Sequence, residues 1–318
     1  LNLTEHHFEL LMGIFQIIQF DAFSFLRTRK QLNLLWVLAR FFCILRPFNL
    51  INFMHFKGVV KKMTTEFNST INYFVEFENS FIHLNQFLDH DISINCFGYN
   101  CLSCSSAQPI FRQGFCKSCF FESPLAGEWI IKPELSKAHL NIPDRDLDYE
   151  KKIQLQPHVV YLSNTGSVKV GITRKSQVPY RWIDQGAHEA IEIIETPNRF
   201  LAGTAEVSLK KYMSDKTNWR KMLKNEIDNV NLLNFKEQAK TYIPSNLEHY
   251  FNDNSKVVKI NFPVLKYPDK PKSVKITKDV EFSGRLKGIK GQYLIFENNN
   301  VLNFRAHEGH LFNISIKS

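Results

Sequence analysis

The chain has 318 residues, 44% of them hydrophobic, which allows two or three domains and is an ordinary composition for globular proteins. Its 40 Lys and Arg residues exceed its 31 Asp and Glu residues, and the resulting net charge of +9 favours polyanionic partners, nucleic acid first, without fixing binding or fold. Within the apolar first fifty residues, the longest charge-free run, Leu10–Phe20, falls short of the ~18 residues that a bilayer crossing needs, so no membrane-spanning helix is predicted.

The first fifty residues differ from the rest of the chain. Residues 8–56 are crowded with Phe, Leu and Ile but show no clear period, and Arg40 and Arg46 interrupt the second apolar run. Each arginine would cost about 2.5–3.5 kcal/mol at the centre of a membrane helix. The ordered regions of a signal peptide are also missing. We predict that residues 1–53 are a non-native leader or a disordered apolar segment, with Met54 as the natural start. A membrane-surface anchor is the alternative.

Residues 54–123 are predicted to form a small β region that carries a metal-binding module. Apolar and polar residues alternate in INYFVEF (71–77), FIHL (81–84) and DISINCF (91–97), as expected of half-buried strands. Five of the six cysteines lie between Cys96 and Cys119. An odd cluster of cysteines favours metal binding over a disulfide framework, and it indicates a reducing, cytoplasmic compartment.

The cysteine spacing C-x2-C-x11-C-x2-C predicts a zinc site. Each C-x2-C pair can direct two thiolates toward one point, and two such pairs complete a tetrahedral site with no open position, so the zinc would be structural. Cys96 is interpreted as a strand residue that could replace a ligand only with unusual turn geometry. Unligated buried cysteines are the alternative. The predicted zinc ligands are Cys101, Cys104, Cys116 and Cys119.

An α/β domain is predicted over residues 158–250, after a proline-rich, charged linker at 124–157. HVVYLSNTGSVKVGIT (158–173) has the pattern of two strands around an Asn-Thr-Gly turn. Pro179 can begin a short helix, YRWIDQGA, that ends at Gly186. HEAIEIIE (188–195) is the predicted third strand.

Three further helices are predicted in the same domain. Thr196-Pro197 supplies an N-cap and a first-turn proline for a helix that continues through Met213. The other two helices cover residues 217–225 and 231–240. The buried stripe of the first helix is predicted to be Leu201, Ala205, Leu209 and Tyr212.

The C-terminal region, residues 256–318, is predicted to be a small β-barrel. Short strands (VEFSGRL, GQYLIF, VLNF and LFNISI) alternate with Gly-rich or Asn-rich turns. Between Lys256 and Lys290, ten Lys or Arg residues face three acids, with Tyr267, Phe282 and nearby Tyr293 among them. Basic residues interleaved with aromatic residues suit a single-strand or RNA platform. A solvated basic linker over ordinary core is the alternative.

The middle segment offers the residue types that phosphodiester hydrolysis requires. That reaction needs a group to activate or position water, positive charge at the phosphate oxygens, and a carboxylate for a divalent metal. Tyr161, Arg181 and Glu206 follow one another in that order. Ala202 and Gly203 lie one turn before Glu206, and we expect these small residues to leave open space beside its carboxylate.

These residues also carry a resemblance to a known family. VVY, KVG, an arginine about ten residues later and a helical glutamate resemble the GIY-YIG nuclease superfamily over roughly 158–222, most closely the KIG-type branch in which lysine replaces the second tyrosine. The cysteine motif together with KPELSKAHL, HVVYL, KVGITR, RWIDQGA and DKTNWRKML is similar to an uncharacterised bacterial domain-of-unknown-function family with a GIY-YIG-like centre. That match runs from about Met54 to the C-terminus.

The resemblance implies a role for each motif residue. Tyr161 would be the general base or would position the water, and Lys169 stands where the second tyrosine would be. Arg181 would clamp the phosphate. Glu206 would hold a single metal, Mg²⁺ or Mn²⁺. No histidine is assigned, with His188 or His158 as the possible assistant. Nucleic-acid contacts are predicted for Gly171, Arg174, Trp182, Gln185 and Arg220.

Each of these residues also has a structural explanation. Tyr161 suits a sheet, Gly171 a strand end, Arg181 a surface ion pair and Glu206 a solvent-facing helix. Trp182 and Trp219 equally suit core or domain contacts.

The predicted fold class is α+β: a β region with a four-cysteine zinc module, a GIY-YIG-like α/β domain and a small barrel. The first functional hypothesis is a metal-dependent endonuclease acting on DNA or RNA. The second is a nucleic-acid-binding or regulatory protein without turnover, which the missing second tyrosine and unassigned histidine favour. A scaffold unrelated to nucleic acid is the third. The sequence indicates no oligomeric state.

Overall fold

The computed structural model describes residues 53–317, and residues 53–318 form one compact unit. The predicted leader, residues 1–53, lies outside the described residues apart from Phe53, where the first strand begins. Among the helices of residues 53–317, none has the length and apolar character that a bilayer crossing requires.

The described chain is a mixture of short strands and short helices. The strands are β1 Phe53–Val59, β2 Thr64–Glu66, β3 Asn72–Glu76, β4 Phe81–His83, β5 Asp91–Tyr99, β6 His158–Asn164, β7 Val168–Arg174, β8 Glu189–Thr196, β9 Val258–Lys259, β10 Lys272–Val274, β11 Glu281–Lys290, β12 Tyr293–Phe296, β13 Asn300–Asn303 and β14 His310–Lys317. The α-helices are α1 Lys117–Glu122, α2 Leu147–Gln154, α3 Tyr180–Asp184, α4 Arg199–Leu209, α5 Trp219–Leu223 and α6 Leu232–Lys240.

Strands from both ends of the chain form one seven-stranded sheet in the order β1-β14-β5-β11-β12-β13-β10. Neighbouring strands are antiparallel except β10 and β13, which are parallel. β11 serves both halves of the sheet, and its register against β12 shifts between Leu286 and Gly288. A Cβ atom at Gly288 would lie 2.7 Å from Val264 Cγ1, so glycine permits the close packing at this irregularity.

The predicted C-terminal barrel is wrong, because the described residues form no closed barrel. The strands predicted in the tail are present. However, β14 lies between β1 and β5, and β11 pairs with the other edge of β5. The alternating pattern therefore identified the strands without identifying their partners, since alternation reports only which face of a strand is buried. The coarser prediction, a mixed α and β structure with several sheets, is confirmed.

A separate four-stranded sheet has the order β7-β6-β8-β9. It contains the hairpin formed by β6 and β7, which we call the central hairpin. β6 and β7 pair from His158 opposite Arg174 to Asn164 opposite Val168, with Tyr161 opposite Gly171. One face packs on α4 and α6 through a cluster that includes Val160, Leu162 and Ala205. The other face joins the larger core of the seven-stranded sheet through Val159, Tyr161 and Trp182.

Helix α4 differs from its prediction at both ends. Thr196 is the last residue of β8, and Asn198 is the N-cap, its Oδ1 accepting a hydrogen bond from the Leu201 N–H at 3.0 Å. Ala205 and Leu209 are buried as predicted, whereas Tyr212 lies beyond the helix and is 60% exposed. Tyr212 stacks on Tyr242 instead, with ring centroids 3.8 Å apart.

The segment predicted as a linker folds against α4. It contains α2 and several short turns, and Arg199 at the start of α4 donates to the backbone oxygens of Trp129, at 3.1 Å, and Ile130, at 2.7 Å. A Cβ atom at Gly203 would lie 2.6 Å from the Glu134 backbone nitrogen. We call residues 128–140 the covering segment. They occupy the side of α4 at which the small residues were expected to leave open space.

Candidate functional site

Tyr161 lies at the centre of the candidate site, on the inner strand β6 of the four-stranded sheet. Its side chain is fully buried, its hydroxyl donates to Gln185 Oε1 at 3.0 Å, and its ring packs at an angle of 61° to Trp182. A Cβ atom at position 171 would lie 2.7 Å from the Tyr161 hydroxyl oxygen. The absence of a side chain at Gly171 therefore makes room for Tyr161 itself.

Tyr161 is a neutral phenol at physiological pH. Burial raises its pKa, and the nearby Arg181 guanidinium and the Gln185 hydrogen bond oppose the rise. Arg181 and Gln185 come from α3 and the residue that follows it. Asp184 fixes this helix, because its carboxylate accepts hydrogen bonds from Lys62 Nζ and Gln292 Nε2, both at 2.9 Å.

Lys169 lies on β7 and is only 4% exposed. Burial and the positive charge of Arg181 lower its pKa to about 8, while the charges of Glu206 and Asp215 act in the opposite direction. Within residues 53–317 its ammonium group donates no hydrogen bond. The side chain is buried, but its Nζ is not one of the fully enclosed atoms that lack a partner, so the ammonium group reaches solvent and an anionic ligand could accept its hydrogen bonds.

Glu206 on α4 is a carboxylate close enough to Lys169 to affect its pKa, and it forms an ion pair with Lys210. The Lys210 ammonium lies 3.1 Å from the Glu206 carboxylate and 3.5 Å from Asp215. Burial raises the pKa of Glu206, and the positive charges of Lys210 and Arg199 oppose the rise. Asp215 and Lys210 were not predicted from the sequence, although the spacing of Glu206 and Lys210 by four residues is a helical ion-pair signal.

The two candidate histidines lie in different surroundings. His158 is buried beside Arg174 and Arg199; its Nδ1 shares a hydrogen bond with the Gln156 oxygen at 2.7 Å, and its Nε2 has no partner among the described residues. Burial lowers its pKa to about 4, so the ring is neutral. His188 is surrounded by Glu189, Lys259 and Lys290 rather than by the site residues.

Glu206 fits a divalent metal only together with a substrate. Mg²⁺ is commonly bound through one or two carboxylates plus substrate phosphates and water. Glu206 supplies one carboxylate, and Lys210 already contacts it. Among residues 53–317, only the four cysteines form a group of three or more side chains that could hold a metal ion.

The residues predicted to contact nucleic acid occupy contrasting positions. Trp182 is 1% exposed and belongs to the core, which agrees with the alternative interpretation of this residue as a core contact. Gln185 accepts a hydrogen bond from the Tyr161 hydroxyl. Arg174 is partly exposed at the end of β7, near Arg199. Arg220 is exposed, and its guanidinium carbon lies 4.3 Å from the centroid of the Trp219 ring.

The four predicted zinc ligands lie together. Their Sγ atoms are all within 4.8 Å of one another, and the Cys116 backbone N–H donates to Cys101 Sγ at 3.3 Å. Burial opposes ionisation of Cys101, but the backbone N–H groups of Cys104, Cys116 and Ser103 lower its pKa to about 6. Cys96 lies in β5 outside this group and donates to the Gly98 oxygen at 3.3 Å, as expected of a strand residue. The cluster could hold a metal such as zinc.

Comparison with known protein families identifies a match to a family whose function is unknown. A family model described as "Protein of unknown function (DUF2797)" matches residues 89–312. No curated protein and no solved structure matches the chain.

Proposed function

The chain belongs to the family of proteins of unknown function called DUF2797, and we propose that it acts on nucleic acid as a metal-dependent phosphodiester hydrolase. The observation that carries this proposal is the ammonium group of the largely buried Lys169 side chain, which lies in the field of Arg181 and Glu206 and has no hydrogen-bond acceptor within residues 53–317. A phosphate oxygen would satisfy that ammonium group. The resemblance of VVY, KVG, Arg181 and Glu206 to the GIY-YIG superfamily supports the same chemistry.

Each side chain has a definite task in the proposed reaction. Lys169 and Arg181 bind the scissile phosphate and stabilise the negative charge that develops on its oxygens. Tyr161 stays protonated because burial raises its pKa, which favours a positioning role over that of a general base. Glu206 would hold Mg²⁺ or Mn²⁺ together with the substrate, and a bound metal would neutralise charge at the leaving oxygen.

A second candidate function is nucleic-acid binding without turnover. Two observations favour it: the Glu206 carboxylate is already paired with Lys210, and the Tyr161 hydroxyl is enclosed. In that case the same cations would bind phosphate while no group activates water.

Cleavage assays distinguish the two functions. The protein is incubated with labelled single-stranded and double-stranded DNA and RNA in Mg²⁺, alongside Glu206→Gln, Arg181→Ala and the control Glu237→Gln, which alters an exposed carboxylate on α6. A hydrolase loses cleavage in the first two variants and keeps it in the control. Binding without cleavage in every protein supports the second function. Complete absence of salt-sensitive binding contradicts both.

We further propose that the cysteine cluster holds a structural Zn²⁺. Four thiolates at C-x2-C spacing fill a tetrahedral coordination sphere and leave no position for a substrate. The Cys116 N–H that donates to Cys101 Sγ is the kind of outer hydrogen bond that orients a ligand.

Removal of one ligand tests the zinc site. We expect the purified protein to carry one zinc per chain by elemental analysis, and Cys101→Ser to lose it together with the protection of residues 101–122 from proteolysis. Cys96→Ala alters a buried cysteine outside the cluster and should keep the zinc. Full zinc content in Cys101→Ser would contradict the assignment.

A further inference from the structure

A second basic region lies beside the candidate site. It is an open cleft of about 610 Å³ between α5 and residues 269–272, the segment that leads into β10. We call it the basic cleft. Five of its lining residues are cationic, namely Arg220, Lys221, Lys224, Lys270 and Lys272, against the two carboxylates of Glu226 and Asp269. This surplus of positive charge suits a polyanion.

Three of the five cations have no acidic partner in the part of the chain that the structure describes. Lys221 pairs with Asp228 at 2.7 Å, and Lys224 pairs with Glu226. None of the ion pairs formed within residues 53–317 includes Arg220, Lys270 or Lys272. These three charges are exposed, so their electrostatic field acts on whatever enters the cleft.

The wall of the basic cleft is fixed by packing. Trp219 stacks on Tyr293 with an angle of 10° between the rings, and the Arg220 guanidinium lies over the Trp219 ring. Met222 and Leu223 of α5 are buried against Ile295 and Val301 of the seven-stranded sheet. The opposite wall is held by the Asp269 N–H, which donates to Asn299 Oδ1 at 2.8 Å.

Two hydrogen bonds connect the wall of the basic cleft and the chain before it to the strand that carries Lys169. Lys221 donates to Ser167 Oγ at 2.9 Å, in the turn of the central hairpin and two residues before Lys169. The Val170 N–H donates to the Ser214 oxygen at 2.9 Å, so the segment from α4 to α5 runs alongside Lys169. Chain positions 214–220 therefore lead directly from the site into the cleft.

We propose that the basic cleft binds the sugar–phosphate backbone of a nucleic-acid strand whose neighbouring phosphate occupies the site at Lys169. This inference rests on the proposed function and extends it, because it names the surface that the substrate follows. Phosphate contacts position a strand without reading its sequence, so the cleft confers affinity and register rather than base specificity.

Binding of a labelled oligodeoxynucleotide tests the cleft. Fluorescence anisotropy is measured over a salt series with the Glu206→Gln protein, because this variant should leave the strand uncut. The cleft variant carries Lys270→Glu and Lys272→Glu in addition to Glu206→Gln. The matched control adds Lys137→Glu/Lys152→Glu, which makes the same charge change at exposed positions on and beyond the covering segment. Thermal melting shows that each protein is folded, and Lys270→Gln/Lys272→Gln provides a milder variant.

The cleft variant should bind at least about tenfold more weakly than the control. The slope of log K against log salt should also shrink by about 1.4, the change expected when two phosphate contacts to a single strand are lost. Equal weakening in cleft variant and control overturns the proposal and leaves the proposed function standing. Competition by polyglutamate as strong as that by unlabelled oligonucleotide also overturns it and points to an acidic protein partner. Absence of salt-sensitive binding in every protein overturns the proposed function together with the cleft.

Discussion

At the scale of single residues, the buried lysines within residues 53–317 differ in which atoms accept hydrogen bonds from their ammonium groups. Lys236 donates to the backbone oxygens of Asn252 and Asp253 and to Ser255 Oγ, so its ammonium group is saturated by the fold. Lys290 donates to Asn225 Oδ1 at 2.8 Å and lies over two aromatic rings. Lys169 has no hydrogen-bond acceptor among the described residues, which sets it apart as the cation available to a ligand.

The pKa of Lys169 gives a prediction for pH dependence. Because burial and Arg181 lower that pKa to about 8, the ammonium loses its proton as pH rises through about 8, and cleavage in Mg²⁺ should fall over the same range. Lys169→Arg keeps its charge above that range, so the fall should move to higher pH. The measurement is the cleavage rate as a function of pH.

Lys290→Met is the matched control for that measurement. Burial also lowers the pKa of Lys290 to about 8, but this lysine contacts Asn225 and aromatic rings away from the candidate site. Its replacement should leave the pH profile unchanged. A fall that disappears in Lys290→Met and persists in Lys169→Arg would contradict the assignment.

The candidate-site residues predicted from the sequence and the neighbours that were not predicted differ for a physical reason. Tyr161, Lys169, Arg181 and Glu206 belong to motifs whose residue types and order are visible in the chain. The roles of their neighbours are decided by tertiary packing. Gly171 faces the Tyr161 hydroxyl, and Lys210 is shared between Glu206 and Asp215, arrangements that no local pattern encodes.

At the scale of elements, the covering segment is part of the site's support. Arg199 donates to two backbone oxygens of this segment, and burial lowers the pKa of Arg199 to about 10, still far above neutral pH. Gly203 lets the backbone of Pro133 and Glu134 approach α4 closely, because a Cβ atom at position 203 would lie only 2.6 Å from the Glu134 nitrogen. The helix that carries Glu206 is therefore held from the sheet side and from the covering segment.

Gly203→Ala tests that support. In an exposed helix alanine is more stable than glycine by about 0.5–1 kcal/mol. Here the added methyl group would meet backbone atoms at 2.6 and 2.7 Å, so we expect a loss of about 1–3 kcal/mol in the free energy of unfolding. Chemical denaturation measures the change. Val207→Ala, which alters an exposed position on the same helix, should change stability by less than about 0.5 kcal/mol.

Stabilisation by Gly203→Ala would contradict the close packing, because it would show the helix preference acting alone. Faster proteolysis confined to residues 128–140 would support it further, since the displaced segment is the part that loses its contact.

At the scale of the whole molecule, the seven-stranded sheet joins distant parts of the chain. Most predicted strands are present near their predicted positions, because alternation and turn residues are local signals. Strand order is not local: β14 lies between β1 and β5, and β11 begins as the partner of β5. The C-terminal strands, which the sequence predicts to form their own barrel, are therefore paired with β1 and β5 from the N-terminal part of the chain.

This sheet order predicts that residues 256–317 do not fold alone. In isolation β14 would lose both neighbours, and its buried Phe312, Ile314 and Ile316 would lose the cover of Ile92 and Ile94. Exposed edges and apolar side chains make such a fragment unfolded or aggregating. Its amide NMR spectrum should be poorly dispersed alone and should disperse when a fragment covering residues 53–255 is added. A dispersed spectrum and a cooperative melt for the isolated fragment would instead establish an independent C-terminal module, because only a closed set of strands could satisfy β14 without β1 and β5.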